Sequence, residues 1–163
     1  MGEQIKLIKM MLEKNEGVAF VKEAHEEDSM EFASFPRHCV KGTSEAEVID
    51  ELKPFEKDAL VYEKNSTSAM FADNFLNDID KMINLQKIIL TGCCTDICIL
   101  NLGIPLKNYF NQFNRNIDIY VPENAVETYD APNHNRDEYN EMAFKLMNQS
   151  GLKLVKKYER NDK

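Results

Sequence analysis

The segment from Lys87 to Leu100 constrains the fold of this chain more than any other. The residues from Lys87 to Leu90 are apolar after the lysine, with two β-branched isoleucines, a pattern typical of a short buried strand. Gly92 then permits a tight turn, and Thr95 is an acceptable N-cap for a helix that the apolar spacing predicts to about Asn114. In α/β folds, reactive side chains lie where a strand runs through a turn into a helix N-terminus.

Three of the four cysteines lie in this segment, at Cys93, Cys94 and Cys98. Cys98 lies just inside the predicted helix, where the helix dipole stabilises a thiolate, so we predict that it is a nucleophile. The alternative is a small core residue, the commoner role of a free cysteine. A thiol redox protein built on these three cysteines is a further alternative. The segment lacks a CxxC motif, which weakens the redox reading and also argues against a structural zinc site made from cysteines alone.

Strands and helices alternate along the whole chain. Hydrophobic patterning predicts strands at 18–21, 59–62, 87–90, 117–121 and 152–155, and helices at 3–15, 46–52, 74–83, 95–114 and 136–147. This alternation predicts an α/β fold of three layers, α/β/α and Rossmann-like, with a central parallel sheet. Because the chain begins with a helix, it is expected to lack the first β-strand of such a fold.

Composition excludes several classes of function. The net charge is −8 and no basic run offsets it, which argues against a nucleic-acid partner. No apolar run approaches the roughly 20 residues that span a bilayer, so no membrane partner is expected. The cysteine spacing is unlike that of a secreted disulfide framework, which favours a cytoplasmic protein. A chain of 163 residues is expected to form a single domain, 1–163.

Carboxylates and histidines cluster after the strand at 18–21. The two histidines and the nearby carboxylates offer nitrogen and oxygen ligands of the kind that divalent metals bind. The histidines are His25 and His38, and the carboxylates are Glu23, Glu26, Glu27, Asp28 and Glu31. The alternative is a solvated acidic loop with two incidental histidines.

Two further charged residues are notable. Lys64 follows the strand at 59–62, at the same carboxyl edge of the predicted sheet as the cysteine turn, so it is a candidate cation for a thiolate; the alternative is a solvated strand end. His134, in the loop that begins at Ala131, is expected to be a surface or capping residue.

Three motifs resemble those of the isochorismatase-like cysteine hydrolases, in particular the nicotinamidase branch. The residues from Gly92 to Ile99 match the G-x-x-T-D-x-C-V signature, with isoleucine in the last position. The residues from Lys64 to Phe71 match K-x-x-x-S-A-F with one insertion, and those from Phe35 to Thr43 match F-P-x-H-C-V-x-G-T. The resemblance extends over nearly the whole chain from Val18 onward.

The resemblance implies a six-stranded parallel sheet and an amidohydrolase that acts on a small amide, such as nicotinamide, releasing nicotinate and ammonia through a thioester. It implies an Asp–Lys–Cys triad, with Lys64 and Cys98 as two of its members. It also implies a cis peptide bond between Cys93 and Cys94, and an oxyanion hole made by the backbone N–H groups of Cys94 and Cys98.

The resemblance further implies a divalent metal cofactor, zinc in the first place, with iron or manganese as alternatives. The matching ligand positions are Glu23, His25 and His38, with Glu31 as the further ligand. The family motif has an aspartate where this chain has Glu23, which changes the reach of the carboxylate but not the type of ligand.

The family's triad aspartate lies on its first strand, and no matching segment is found in this sequence. One reading is an active amidohydrolase seen without that strand, through a late start codon or a shortened chain. The other is a catalytically impaired relative that binds a metal or small ligand as an oligomer. Since a missing central strand exposes apolar edges, we predict association into a homo-oligomer and reduced stability.

Overall fold

The computed structural model describes residues 1–160 of the chain. Its α-helices are α1 (Gly2–Glu13), α2 (Phe75–Lys81), α3 (Leu100–Gln112) and α4 (Arg136–Gln149). Its strands are β1 (Ala19–Glu23), β2 (Leu60–Lys64), β3 (Lys87–Ile89), β4 (Gly92–Cys93), β5 (Asp118–Pro122), β6 (Val126–Glu127) and β7 (Lys153–Val155). The predicted mixture of helices and parallel strands is confirmed.

The strands form three hydrogen-bonded ladders within the described residues rather than one continuous sheet. Their orders are β1-β2, β3-β5-β7 and β4-β6, and every one of these pairings is parallel. The five predicted strands are all found, each shifted by no more than about two residues.

One predicted helix is wrong. The chain from residue 46 to 52 has no α-helix; short 3₁₀ turns at Ser44–Ala46 and Lys53–Asp58 lie on either side of it. Pro54 stands in the first turn of the second of these, and proline disfavours helical conformation in the residue before it. Consecutive β-branched residues at Val48 and Ile49 further weaken a helix in this segment.

Backbone contacts divide the chain into two compact units, Gly2–Lys81 and a second that begins at Met82. In the first unit, β1 and β2 are paired in register from Ala19 opposite Leu60 to Glu23 opposite Lys64. Tyr62 of β2 is buried and its ring meets that of Phe75 of α2 edge to face, with centroids 5.2 Å apart. This packing fixes the carboxyl ends of β1 and β2, where the charged residues lie.

In the second unit, α3 and α4 accompany the β3-β5-β7 ladder around an apolar core. Its fully buried side chains include Leu106, Phe110, Ile119, Val121 and Met147. Gly103 of α3 is required by close packing, since a Cβ there would lie 2.7 Å from Leu152 Cδ2 and 3.2 Å from Leu90 Cδ1. The helix therefore approaches the end of β3 closely, just before the cysteine turn.

The cysteine turn, which we define as the residues from Gly92 to Cys98, contains two features that periodicity does not predict. Gly92 and Cys93 form the short strand β4, paired with β6, and Gly92 has a φ of 124°, a conformation that favours glycine. The helix then begins with a π-helical turn, Thr95–Ile99, before α3 proper. The amides of Ile97 and Ile99 both donate to the Cys94 carbonyl, at 3.2 and 3.1 Å.

Candidate functional site

Glu23, His25 and His38 form a cluster in the unit Gly2–Lys81. One ligand atom from each of the three lies within 4.8 Å of the others. Glu23 is the last residue of β1, and His25 follows it by two positions. The loop that carries His38 is held against His25 by backbone hydrogen bonds, from the His25 amide to the Cys39 carbonyl at 2.9 Å and from the Lys41 amide to the His25 carbonyl at 2.8 Å.

The two histidines present their Nε2 atoms to this cluster. His38 Nδ1 lies 2.7 Å from the Pro36 carbonyl oxygen, and His25 Nδ1 lies 3.3 Å from Asn65 Oδ1. Since those oxygens accept hydrogen bonds, each Nδ1 carries the proton and each Nε2 is left with its lone pair. His38 Nε2 is 3.1 Å from Glu23 Oε2 and His25 Nε2 is 4.0 Å from it.

These residues fit a divalent metal. His25 is fully buried, and its Nε2 has no hydrogen-bond partner in the structure. A buried, unpaired nitrogen is unfavourable unless a ligand satisfies it. Two imidazoles and a carboxylate are the ligand set that zinc and similar ions take, and the Nδ1 hydrogen bonds are those that orient metal-bound histidines.

Glu31 stands apart from this cluster. Its Oε1 accepts a hydrogen bond from the Thr67 amide at 3.0 Å, and its Oε2 is buried without a hydrogen-bond partner. The three residues whose ligand atoms come together do not include it. The assignment of Glu31 as a further ligand stays a prediction.

Lys64 is buried and paired with Glu23, so the reading of it as a solvated strand end is wrong. Lys64 Nζ donates to Glu23 Oε1 at 2.7 Å and to the Ser66 carbonyl at 3.0 Å, and its side chain is 4% exposed. The register of the β1-β2 ladder accounts for the contact, since Glu23 and Lys64 are direct partners. Glu23 thus joins the lysine to the histidine cluster, one carboxylate oxygen on each side.

The cysteine turn lies in the unit that begins at Met82. The peptide bond between Cys93 and Cys94 is cis. None of the four cysteines forms a disulfide; Cys93 is exposed, while Cys39, Cys94 and Cys98 are partly buried.

Two of these thiols are held in their neutral form. The hydrogen bond between the Cys94 and Cys93 side chains, together with burial, keeps the pKa of Cys94 above its usual value. Burial, and then the charges of Glu23 and Glu45, raise the pKa of Cys39. Neither of these two thiols is therefore a good source of thiolate at neutral pH.

His134 is not a surface or capping residue, and that prediction is wrong. The residue is 8% exposed, and its ring lies between those of Tyr129 and Tyr139. His134 Nε2 is 2.8 Å from Asp96 Oδ2, inside the cysteine turn. Sequence reasoning misses this pair because the two residues are 38 positions apart and belong to no common motif.

No helix among residues 1–160 combines the length and the apolar character that crossing a membrane requires.

The sequence matches the family model described as "Isochorismatase domain" over residues 3–157. The uncharacterized isochorismatase family protein PncA of Bacillus subtilis (strain 168) is 27% identical over 139 residues, which are 80% of this chain and 72% of that protein. Nicotinamidase 1 of Arabidopsis thaliana is 27% identical over 143 residues, 81% of this chain and 58% of that protein. The chain thus spans less than two thirds of the plant relative.

Solved structures show the same fold. The crystal structure of nicotinamidase PncA from Bacillus subtilis matches with a TM-score of 0.72 and 26% identity, covering 92% of this chain and 80% of that one. N-carbamoylsarcosine amidase from Thermoplasma acidophilum matches with a TM-score of 0.74 and 24% identity, covering 99% and 84%. A pyrazinamidase of Pyrococcus horikoshii in complex with zinc matches with a TM-score of 0.69 and 23% identity, covering 92% and 80%.

Proposed function

Because this chain belongs to the isochorismatase family, a family of hydrolases, we propose that it is a cysteine-dependent amidohydrolase of nicotinamidase type, acting on a small amide. The observation that carries the proposal is the joined cluster of Glu23, His25, His38 and Lys64 at the carboxyl ends of β1 and β2. The relatives named as nicotinamidases and pyrazinamidases support a substrate such as nicotinamide.

In the proposed reaction, Cys98 Sγ attacks the amide carbonyl carbon as a thiolate. The new C–S bond forms as the carbonyl electrons move onto oxygen, and the backbone N–H groups of Cys94 and Cys98 are proposed to stabilise that oxyanion. The C–N bond then breaks, and the nitrogen leaves as ammonia with the proton that the Cys98 thiol gave up. Water hydrolyses the thioester, which releases the carboxylic acid and restores the thiol.

Lys64 is proposed as the second catalytic residue, on the strength of its motif. The ion pair with Glu23 and the hydrogen bond to Ser66 fix its ammonium group in one place. If the family's triad holds here, an aspartate that the sequence motifs do not supply would act as the base.

Glu23, His25 and His38, with Glu31 as a proposed further ligand, would hold a divalent metal, zinc before iron or manganese. A bound ion would supply a Lewis acid that binds and orients a nitrogen or oxygen atom of the substrate. The strongest support for a bound metal is His25 Nε2, a buried nitrogen atom that has no hydrogen-bond partner in the structure. Four cysteines without a disulfide support a reducing, cytoplasmic location, where nicotinate would be available for NAD salvage.

Ammonia release from nicotinamide and pyrazinamide tests the proposal, with protein that has been stripped of metal and then reloaded with zinc, iron or manganese. We expect turnover that depends on metal, and a fall of at least about a hundredfold in kcat for Cys98→Ala because the covalent route is lost. Cys39→Ser is the matched control and should keep its activity. Equal turnover by Cys98→Ala and the parent chain would overturn the assignment of the nucleophile.

The second candidate is a catalytically impaired relative that binds a metal or small ligand as an oligomer. It is favoured by one observation, that the Glu23, His25 and His38 cluster is formed within the unit Gly2–Lys81. This function predicts stoichiometric metal binding by calorimetry, with no mass increase on Cys98 after incubation with any amide. A thioester adduct on Cys98 in the mass spectrum would exclude it.

A further inference from the structure

Asp96 and His134 form an ion pair that the proposed reaction does not use. His134 Nε2 lies 2.8 Å from Asp96 Oδ2, and the two side chains are only 10% and 11% exposed. The other carboxylate oxygen, Asp96 Oδ1, is buried and has no hydrogen-bond partner in the structure. His134 is therefore the residue that satisfies this carboxylate.

The geometry requires His134 to be doubly protonated. Its second ring nitrogen, Nδ1, lies 3.1 Å from the backbone carbonyl oxygen of Tyr129. Neither a carbonyl nor a carboxylate oxygen can donate a hydrogen bond, so both ring nitrogens must carry protons to make both contacts. The ring is thus an imidazolium.

The aromatic rings on either side favour the same charge state. The Tyr129 ring is stacked on His134 with centroids 3.9 Å apart and planes at 10°, and the Tyr139 ring of α4 is stacked at 3.7 Å and 28°. A cation between two aromatic faces is stabilised by their quadrupoles. The titratable groups facing the ring are Asp96 from the cysteine turn, Tyr129 from the loop and Tyr139 from α4, with Cys94 close enough to act on Tyr129.

Both ends of this contact are fixed to the backbone. The amide and the carbonyl of His134 are each hydrogen bonded to Ala131 at 3.0 Å, and the Asn135 side chain caps α4 through the Glu138 amide. Asp96 lies in the π-helical turn Thr95–Ile99, two residues before Cys98. The ion pair therefore connects the start of the helix that bears Cys98 to the start of α4.

We propose that His134 is a positioning residue for Cys98: its imidazolium holds Asp96, and with it the first turn of the helix that carries the nucleophile. The positive charge of His134 also offsets the negative charge of Asp96. Without it, the Asp96 carboxylate would disfavour a thiolate on Cys98, two residues away. The inference rests on the proposed function only in taking Cys98 as the reactive thiol.

The expected pH dependence follows from the pair. Burial by itself would lower the pKa of His134, but the hydrogen bond and charge of Asp96 outweigh it and hold the pKa above the ordinary histidine value. A group whose pKa is raised by folding contributes its full stabilisation below its unfolded pKa, and that contribution is lost as the pH rises through the folded pKa. The turn should therefore loosen as the pH rises through the folded pKa of His134, which lies above the ordinary histidine value.

Two measurements that need no amide substrate test the proposal. The first is the NMR titration of the His134 ring, one of only three histidines in the chain. The second is the rate at which iodoacetamide alkylates Cys98, followed by peptide mass spectrometry from about pH 6 to about pH 9, a range that spans histidine and thiol titration. The variants are His134→Phe, which keeps the stacked ring but has no N–H donor, and Asp96→Asn. Tyr139→Phe, which keeps the stacking, is the matched control.

We expect His134 to titrate above the ordinary value of about 6.5, and to titrate lower in Asp96→Asn. In His134→Phe, alkylation of Cys98 near neutral pH should slow about tenfold, the effect of a rise of one unit in the thiol pKa. Its pH profile should also lose the step at the His134 pKa. Tyr139→Phe should leave both the rate and the step in place.

Titration of His134 at or below the ordinary value in the folded parent chain would overturn the proposal, and so would an unchanged Cys98 profile in folded His134→Phe. If His134→Phe does not fold, the proposal is decided by the pKa of His134 in the parent chain and by its change in Asp96→Asn. Neither readout uses amide hydrolysis. A chain that proves inactive on amides would therefore refute the proposed function, while the two readouts would still test the role of His134.

Discussion

At the scale of single residues, Glu23 contacts both the Lys64 ammonium group and the imidazole of His38. Its Oε1 accepts a hydrogen bond from the buried Lys64, and its Oε2 lies 3.1 Å from His38 Nε2. A glutamate is one methylene longer than the aspartate of the family motif, and here it reaches both partners from the end of β1. A change at this residue should therefore affect both stability and metal affinity.

The first prediction concerns the Glu23–Lys64 pair. Glu23→Ala leaves the buried ammonium of Lys64 without its carboxylate, and we expect the free energy of unfolding in urea to fall by about 3 kcal/mol, the lower end for a buried pair, because Lys64 keeps its hydrogen bond to Ser66. Glu23→Gln keeps an oxygen acceptor and should lose less. The matched control is Glu63→Gln, which breaks the more exposed Lys22–Glu63 pair and should change stability by less than about 1 kcal/mol. Equal losses for Glu23→Ala and Glu63→Gln would show that the buried pair has no special role.

The second prediction concerns metal binding. His25→Ala removes the buried Nε2 donor, and calorimetric titration with zinc should show affinity lower by at least about tenfold. Glu26→Gln, in the same acidic loop but with an exposed side chain, should bind as the parent chain does. Glu31→Gln decides the predicted further ligand, since it keeps the oxygen that accepts from Thr67. An unaltered zinc affinity in His25→Ala would rule out this cluster as the metal site.

At the scale of elements, the strand register brings the charged residues together, and β2 is in turn fixed by α2. Tyr62 of β2 donates a hydrogen bond to Asp78 of α2 at 3.0 Å. Burial, and then this hydrogen bond to a carboxylate, raise the pKa of Tyr62 to about 12. Lys64 is two residues further along the same strand, on the same face.

The third prediction follows from that pKa. Tyrosine is neutral below its pKa, so a raised folded value contributes its full stabilisation below the unfolded pKa of about 10, and this is lost as the pH rises towards 12. Tyr62→Phe loses the hydrogen bond to Asp78, so we expect it to lose about 1 kcal/mol at pH 7, the usual value of a hydrogen bond, and to show a flatter decline in alkali. Parallel alkaline curves for the two proteins would contradict the assignment.

The fourth prediction concerns the contact of α3 with β3. Gly103→Ala gains helix propensity of about 1 kcal/mol but puts a methyl group against Leu152 and Leu90, and overpacking costs about 1 to 3 kcal/mol. Both leucines are buried, so they have little room to move, and we expect a lower melting temperature. Gly17→Ala meets nothing within 4 Å and is the matched control, expected to be neutral or slightly stabilising. A Gly103→Ala chain that melts no lower than the parent would contradict the close packing.

The sequence predicts the long elements well because their signals are local. The strand before Glu23 and the helix α4 are evident from apolar spacing within ten to fifteen residues. The π-helical turn at Thr95–Ile99 and the strand β4 are not, because a π turn has no distinct periodicity and a two-residue strand exists only through its pairing with β6. The helix predicted at 46–52 is absent for a related reason, since the proline at position 54 restricts the backbone that precedes it.

The site residues divide in the same way. Glu23, His25 and His38 come together as their motifs predict, since a strand end and one loop suffice to join them. The Asp96–His134 pair depends on how α4 and the cysteine turn pack within one unit, which no residue pattern reveals. Motifs thus identify residues that act at the ends of strands, while tertiary packing selects the residues that support them.

At the scale of the whole molecule, residues 1–160 contain seven strands, which are divided among three small ladders. Within residues 1–160, β1 is hydrogen bonded along its length to β2 alone, and β3 to β5 alone. Unpaired strand edges are sites of association unless something covers them. Apolar side chains on β2, Leu60 and Val61, are also more than a third exposed.

The fifth prediction is that the protein associates, as a dimer or a larger oligomer, through these strands. Light scattering coupled to size-exclusion chromatography should give a mass well above the 18.9 kDa of one chain. Replacing Leu60 and Val61 together with lysine should lower that mass, since edge charges oppose strand pairing. Ile83→Lys, at a more exposed apolar side chain outside any strand, is the matched control and should keep the parent mass. If the parent chain elutes as a monomer at all concentrations, association through strand edges is wrong, and the apolar side chains of β2 are ordinary exposed surface.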